Sequence, residues 1–444
     1  MGNMKATVTS SLLIFCLASG PAVSQDNMQD KTIVDLSQAY TSALQNNFGL
    51  RSQQAGFKGE KEATREAWAG VLPQVEASAS YGQSRFTRDF GVNDSITDTD
   101  EHTSYNVNLS QVVYSGRTFN SIGRANKGEE LAKQELRSRS LETGYSAIEA
   151  FLRTSALGRE IGVVEDERAS HRRRLDQMES MRERGLASRA DVLEARATID
   201  QTEADLTGLR TEYQAAKQNF TAITGLSFKE IQLAPTDETL WRKTPAVLRT
   251  DWVALALKNS GQLSIASANL EMARATRSYE RSGHYPEIYL NARYTENDTF
   301  ATNLREETRV EVQLKLPIYK GGATSARTRQ AAYREEASKL ELQHKEQLVR
   351  VEVTRLVEGL EGSYQTIKAL DTAKESAAAS LEAAERGFAS GIRSLSDLLD
   401  ARSRLSTTER DQVREIYKNF QLQYELMQVA GVLDKQIPGS AQRN

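Results

Sequence analysis

The sequence predicts an α+β membrane protein built from two structural repeats, each with two β-strands and one long antiparallel helical hairpin, so that one chain supplies four strands. Three observations predict it. The text is written twice, two long stretches without proline carry heptad patterning, and four short segments alternate apolar with polar residues.

The repeat shows on alignment. Residues 44–81 fall on 257–294 at one offset, which sets Leu72-Pro73-Gln74-Val75 on Tyr285-Pro286-Glu287-Ile288 and Tyr81 on Tyr294. Leu109, Tyr114 and Gly116 then fall on Leu314, Tyr319 and Gly321 at an offset eight residues shorter, and Gly185, Asp191 and Gly225 match Gly391, Asp397 and Gly431. The eight residues are read as a longer loop between Tyr81 and Leu109 in the first copy. A period near 200 residues is far above the roughly 20–50 of a solenoid unit. Two large, similar halves suggest part of a pseudo-symmetric assembly.

The elements follow in order. Lys5, the apolar run 12–18 and the small residues Ala22-Val23-Ser24 read as a secretory signal over 1–24. Its removal would take Cys16, the only cysteine, and exclude a disulfide framework. Phe15 before Cys16 does not fit a lipid-attachment box. Repeat 1 spans 25–225, with a helix at about 35–70, a β-hairpin at about 73–115 and a helical hairpin over 116–225. A linker with two prolines covers 226–248. Repeat 2 spans 249–431, with a helix at about 249–283, a β-hairpin at about 286–319 and a helical hairpin over 321–431, and 432–444 form a tail.

Proline placement and periodicity justify the long helices. No proline occurs in 116–225 or 321–432, so both stretches can be helical throughout. Val353, Leu356, Leu360, Ile367, Leu370, Ala377, Leu381, Ala384 and Phe388 step by threes and fours, interrupted by Ser363 and Lys374. The first copy keeps the phase at Leu157, Ile161, Val164, Leu175 and Met178, with Arg168 and His171 as interruptions. Arg168 falls on the slot of Lys374, and either charge could face water or merely reach out from the seam. Returning helices pair with these, reversing at Gly185-Leu186-Ala187-Ser188 and Gly391-Ile392-Arg393-Ser394.

The strands alternate with period two. Val75, Ala77, Ala79 and Tyr81 oppose Glu76, Ser78 and Ser80, while Val310, Val312, Leu314 and Leu316 oppose Arg309, Glu311, Gln313 and Lys315. An apolar face opposite a charged one suits an outer-membrane barrel with lipid outside and water inside; a hairpin packed on a soluble core is the alternative. Four strands cannot close a barrel, and lipid tolerates no open edge. Two copies would give eight strands, a barrel filled by its own side chains, and three would give twelve.

Composition excludes other classes. Charged residues are 26% with a net charge of −3, so no basic bias recruits nucleic acid. Four scattered histidines offer no metal-ligand spacing, and no nucleophile motif or cofactor box is present, so no metal, cofactor or enzymatic activity is expected. No apolar run is long enough for a transmembrane helix.

Taken together, the signal, the doubled text, the two strand pairs, the strand exits Val113-Tyr114-Ser115-Gly116 and Ile318-Tyr319-Lys320-Gly321-Gly322, and the tip motifs resemble the TolC-like outer-membrane factor family. The resemblance covers essentially the whole mature chain. It implies a homotrimer with a shared twelve-stranded transmembrane β-barrel in lipid and an all-α coiled-coil barrel through the periplasm. It further implies partners, a periplasmic adaptor and an inner-membrane transporter of ABC or proton-driven type, whose cargo leaves through the duct. By resemblance, Asp397 and Asp400 ring the periplasmic entrance, Arg393 and Asp191 belong to the polar network that shuts it, and Glu194 is the first-copy counterpart of Asp400. Phe388 stands where the family's network has a tyrosine. Gly185, Leu186, Ala187, Ser188, Gly391, Ile392 and Ser394 look like the adaptor-contacting tips.

Plainer readings stay open beside these. Asp191 and Asp397 sit three residues after Ser188 and Ser394, where an acid also completes a helix cap. Glu194 and Asp400 could occupy a solvated helix face. The acidic run Asp94, Asp98, Asp100 and Glu101 is expected on an external loop. A periplasmic coiled-coil scaffold and a general diffusion porin remain the rival functions.

Overall fold

The computed structural model describes residues 32–89, 95–229, 231–299 and 305–436. The expected signal, Asp94 and residues 437–444 of the expected tail lie outside the described residues. A short strand β1 (Thr32–Val34) leads into helices α1 (Leu36–Asn46) and α2 (Phe48–Ala69), then the hairpin β2 (Gln74–Asp89) and β3 (Ser95–Ser115). Helix α3 (Gly116–Glu183) follows directly and reverses into α4 (Arg189–Thr224). Between the copies lie strand β4 (Ile231–Leu233), a 3-10 turn, and helix α5 (Thr244–Leu248). The second copy repeats the order with α6 (Trp252–Asn259), α7 (Gly261–Arg281), β5 (Glu287–Thr299), β6 (Arg305–Lys315), α8 (Ala323–Ala389) and α9 (Leu395–Val429), before a final turn α10 (Leu433–Gln436).

Helices α3 and α8 have 68 and 67 residues, so each reaches about 100 Å. Both leading helices, expected as single pieces, are broken. Asn47 ends α1 and starts α2 in extended backbone, its side-chain oxygen accepting from Leu50 N. Ser260 divides α6 from α7 at a ψ of 131°, without a side-chain cap bond among the described residues. One residue serves as both C-cap and N-cap, a conformation a periodicity pattern does not register.

The main sheet is antiparallel in the order β2-β3-β5-β6. Its register sorts the faces. Val75, Leu109, Ala292 and Val310 stand in one row and Ala77, Val107, Tyr294 and Thr308 in the next on the same face, while Glu76, Asn108, Arg293 and Arg309 form a row on the other, tied by Arg293 Nε donating to Asn108 Oδ1 at 2.7 Å. The apolar face is uncovered among the described residues: Val75, Val310, Val312 and Leu314 are all exposed.

Two expectations about this region are corrected. The eight extra residues of the first copy lengthen its strands, 16 and 21 residues against 13 and 11, rather than a loop. Asp98, Asp100 and Glu101 accordingly lie on β3, in register with Phe86, Ser84 and Gln83. Continuing the ladder satisfies backbone N–H and C=O groups that a loop would leave to water.

The helices copy the order of the strands. Helix α2 packs on α3, α3 on α7 and α7 on α8 beneath the sheet, and nearer the tips the order is α4, α3, α9, α8. Midway, β1 pairs in parallel with β4, and these strands help wrap a core containing Tyr40, Ile148, Phe151, Phe220, Trp241 and Phe420. Among the described residues no helix is long and apolar enough to cross a membrane.

Candidate functional site at the helical tips

Both hairpins reverse by the same local chemistry. Gly185 and Gly391 take φ of +75° and +76°, a left-handed conformation that costs L side chains about 1–2 kcal/mol. Behind each, two backbone bonds close the helix: Gly185 N to Arg182 O and Leu186 N to Met181 O, then Gly391 N to Phe388 O and Ile392 N to Gly387 O, all 2.8–3.0 Å. Leu186 and Ile392 are left 68% and 83% exposed at the ends.

The next helices start with reciprocal caps. Asp191 N donates to Ser188 Oγ and Ser188 N to Asp191 Oδ2, and Asp397 N donates to Ser394 Oγ and Ser394 N to Asp397 Oδ2, at 2.9–3.1 Å. Ser394 Oγ also lies 2.8 Å from Asp397 Oδ2. These bonds from Ser394, aided by nearby Arg393, hold the Asp397 carboxyl below the usual carboxylate range. Capping is therefore real for both acids; Asp397 is exposed and Asp191 half-buried. Asp400 and Glu194 lie further along, exposed.

The chain gathers some expected residues and separates others. Asp191, Phe388, Gly391, Arg393 and Ser394, with Leu186 and Ala187, line one cleft of about 300 Å³ between the two tips. Asp397, Asp400 and Glu194 stand outside it on exposed helix faces. Phe388 packs against two core clusters, one containing Leu175, Met178 and Leu395 and the other Leu381 and Leu398, and so joins the hairpins.

Sequence reasoning missed two neighbours. The guanidinium carbon of Arg174 lies 5.2 Å from the centre of the Phe388 ring, a cation–π contact from α3 to α8, and burial pulls that guanidinium down from its usual range while Glu385 opposes the shift. Gly387 lets the Arg393 stem lie flat, since a Cβ there would meet Arg393 Cγ at 2.9 Å. Neither contact has a local pattern that could have announced it.

Higher up, the seam charges resolve as interhelical pairs. Arg168 reaches Glu203 on α4 at 3.1 Å, and Lys374 reaches Glu409 on α9 at 3.4 Å, the same bridge in both copies.

Comparison with known proteins adds the following. The family described as outer membrane efflux protein matches residues 39–226 and 252–432. The chain is 27% identical over 418 residues to the outer membrane protein TolC of Vibrio cholerae, covering 90% of this chain and 92% of that protein. It is 24% identical over 417 residues to the alkaline protease secretion protein AprF of Pseudomonas aeruginosa, covering 92% and 86%. Among solved structures, the outer membrane protein VceC of Vibrio cholerae superposes with a TM-score of 0.76 at 18% identity over 89% of this chain and 96% of that one. The CmeC outer membrane channel of Campylobacter jejuni also gives 0.76, at 13% identity over 96% and 94%.

Proposed function

The chain belongs to the outer membrane efflux protein family, and on that premise we propose that it is the exit duct of a tripartite export system. It resides in the outer membrane, with its helical part in the periplasm. The family is one of channels rather than enzymes.

One observation carries the reading. Among the described residues the four-stranded sheet ends in two unpaired edges, β2 and β6, and the helical layer beneath ends at the matching helices, α2 and α8. Open edges are not tolerated in lipid, and a head-to-tail contact closes into a ring when the rotation permits. Three chains joined β6 to β2 would share a twelve-stranded barrel, with Val75, Val107 and Val312 toward lipid and Glu76, Arg293 and Arg309 toward the lumen. The same joint would bring α8 beside α2 and α4 of the next copy and extend the barrel as a helical tunnel. Exposed Leu186 and Ile392 would meet a periplasmic adaptor, and an inner-membrane transporter, ABC or proton-driven, would load the duct for efflux or type I secretion.

At the far end, Asp397 and Asp400 from three chains would ring the entrance. Close carboxylates on one axis repel and draw cations. Asp191 and Arg393, lining one cleft with Phe388, would help hold it shut.

Extraction and conductance test the reading. The protein should leave membranes only with detergent, sediment as a trimer, and pass potassium chloride current in planar bilayers. A freely soluble monomer in periplasmic extract would end it.

A further inference from the structure

The internal repeat prescribes how the two open edges of the sheet meet. The offset that carries Val75 to Ile288 takes β2 onto β5, and the one that carries Leu109 to Leu314 takes β3 onto β6. The hairpins check both offsets. Val75 pairs with Leu109 in the first, and their counterparts Ile288 and Leu314 pair in the second. Within the chain the repeats join where β3 lies on β5, with Asn108 opposite Arg293 and Leu109 opposite Ala292. Carried over by the same offsets, that joint becomes β6 on β2 of the next chain, with Gln313 opposite Ser80 and Leu314 opposite Ala79. All of β6, Arg305–Lys315, then lies against residues 78–88, inside the span of β2. On the apolar face this register sets Val312 beside Tyr81, 70% and 71% exposed in the single chain.

Side chains on the polar face select the same register independently. There β6 carries Lys315, Gln313, Glu311 and Arg309, and the residues that would oppose them on β2 are Ser78, Ser80, Gly82 and Ser84. Every long side chain meets a short one. Each can therefore reach across β2 to the strand behind it, where β3 pairs His102 with Gly82 and Asp100 with Ser84. His102 already leans over this edge: a Cβ added at Gly82 would meet its Cε1 and Nε2 at 2.6 Å, so the imidazole lies across the glycine. Glu311 would then accept from His102, whose ring can donate whether charged or neutral. Arg309, bonded to Glu307 at 2.7 Å within its own strand, has further donors for Asp100. Slipping the joint by one residue would turn apolar side chains onto polar ones. Slipping it by two spoils the charges, since one direction sets Arg309 on Gly82 and His102, and the other sets Glu311 on Ser84 and Asp100, acid against acid.

We propose that neighbouring chains join β6 to β2 at this register, and that Glu311 of one chain seats on His102 of the next across Gly82, with Arg309 on Asp100 beside it. The proposal rests on the trimeric reading. Within one chain Glu311 stands in the row of Asn291 and Ser110, far along β3 from His102, so the two residues can couple only between chains.

Four cysteine pairs read the register. Cys16 is the only cysteine in the sequence, so a Cys16→Ser background is free of thiols. Gln313→Cys with Ser80→Cys, and Lys315→Cys with Ser78→Cys, stand directly opposed at the proposed register. Exchanging the partners, Gln313→Cys with Ser78→Cys and Lys315→Cys with Ser80→Cys, probes the two slips. Directly opposed residues bring Cα atoms to about 4.5–5.5 Å and diagonal ones to about 7–8 Å, and a disulfide spans no more than about 7 Å. Mild oxidation of detergent-solubilised trimers should give reducible covalent trimers on denaturing gels from the opposed pairs and mainly monomer from the exchanged ones. Stronger linking by an exchanged pair, equal linking by all four, or a stable trimer that none of them links overturns the register. A protein that runs as a monomer in mild detergent overturns the trimeric reading beneath it instead. The side-chain contact is read from the temperature at which the trimer dissociates. His102→Gln, Glu311→Gln and Gly82→Ala, whose methyl displaces the imidazole, should each lower it by several degrees, and His102→Gln with Glu311→Gln should lose no more than the larger single loss. Additive losses, or single variants that leave the temperature unmoved, overturn the contact.

Discussion

Asp397 serves its helix and, in the proposed entrance, the ring of carboxylates, and Ser394 governs both roles. Because bonds from Ser394 depress the folded pKa of Asp397, the stabilisation they give is present above the ordinary carboxylate value of about 3.9 and fades as pH falls through the lower, folded value. Ser394→Ala removes the hydroxyl's bond to the Asp397 carboxylate, the larger cause of the depression, and keeps the backbone one, so Asp397 should take up its proton at higher pH. The measurable consequence is block of potassium chloride current by a trivalent cation. In the wild type the Asp397 contribution should survive into acid; in Ser394→Ala its midpoint should move up, and in Asp397→Ala with Asp400→Ala block should weaken at every pH. An unmoved midpoint would show that the cap does not set the charge of the ring. Gly391→Pro acts on the same turn by another route, since it removes the N–H donated to Phe388 O and cannot reach a positive φ. Export should be lost while the trimer still forms, as judged by its mass in detergent.

At the scale of elements, much of the architecture was legible because it rests on residue type at fixed spacing. Val353, Leu356, Leu360 and Ile367 were read as a seam and are fully buried, and Gly185 and Gly391 marked both reversals. What escaped notice depends on partners distant in sequence. His171 and Ser363 scored as interruptions, yet both are buried; His171 is admitted by Glu167, whose other oxygen is satisfied 239 residues away at Ser406. The tip acids were legible by position, whereas Arg174 over Phe388 was not, because cation–π contacts leave no periodic trace. Burial also ranks the seam energetically. Leu360→Ala should cost about 3 kcal/mol and lower the melting temperature of detergent-solubilised protein, whereas Leu340→Ala, at a residue 58% exposed on the same helix, should leave the chain's own stability nearly unchanged and act only on trimer dissociation. Equal losses of chain stability would mean that α8 has no distinct inner and outer faces.

At the scale of the whole molecule, the two layers pose one question, which surface of the sheet meets lipid. Neighbouring residues on β6 answer it with opposite substitutions. Val312 pairs with Leu290 on the apolar face, and Gln313 pairs with Tyr289 on the polar one, so the positions share strand, depth and edge exposure and differ only in direction. An arginine facing hydrocarbon near mid-membrane costs about 2–4 kcal/mol, while one facing a wet lumen is tolerated. In a trimeric barrel the cost at Val312 is incurred once per copy. Val312→Arg should therefore markedly lower the melting temperature of the trimer in lipid vesicles, and Gln313→Arg should leave it near the wild-type value while shifting ion selectivity in planar bilayers. Reversed outcomes would turn the barrel inside out. Equal tolerance of both would mean that neither face meets lipid, and the sheet would then be a soluble platform, as the scaffold reading requires.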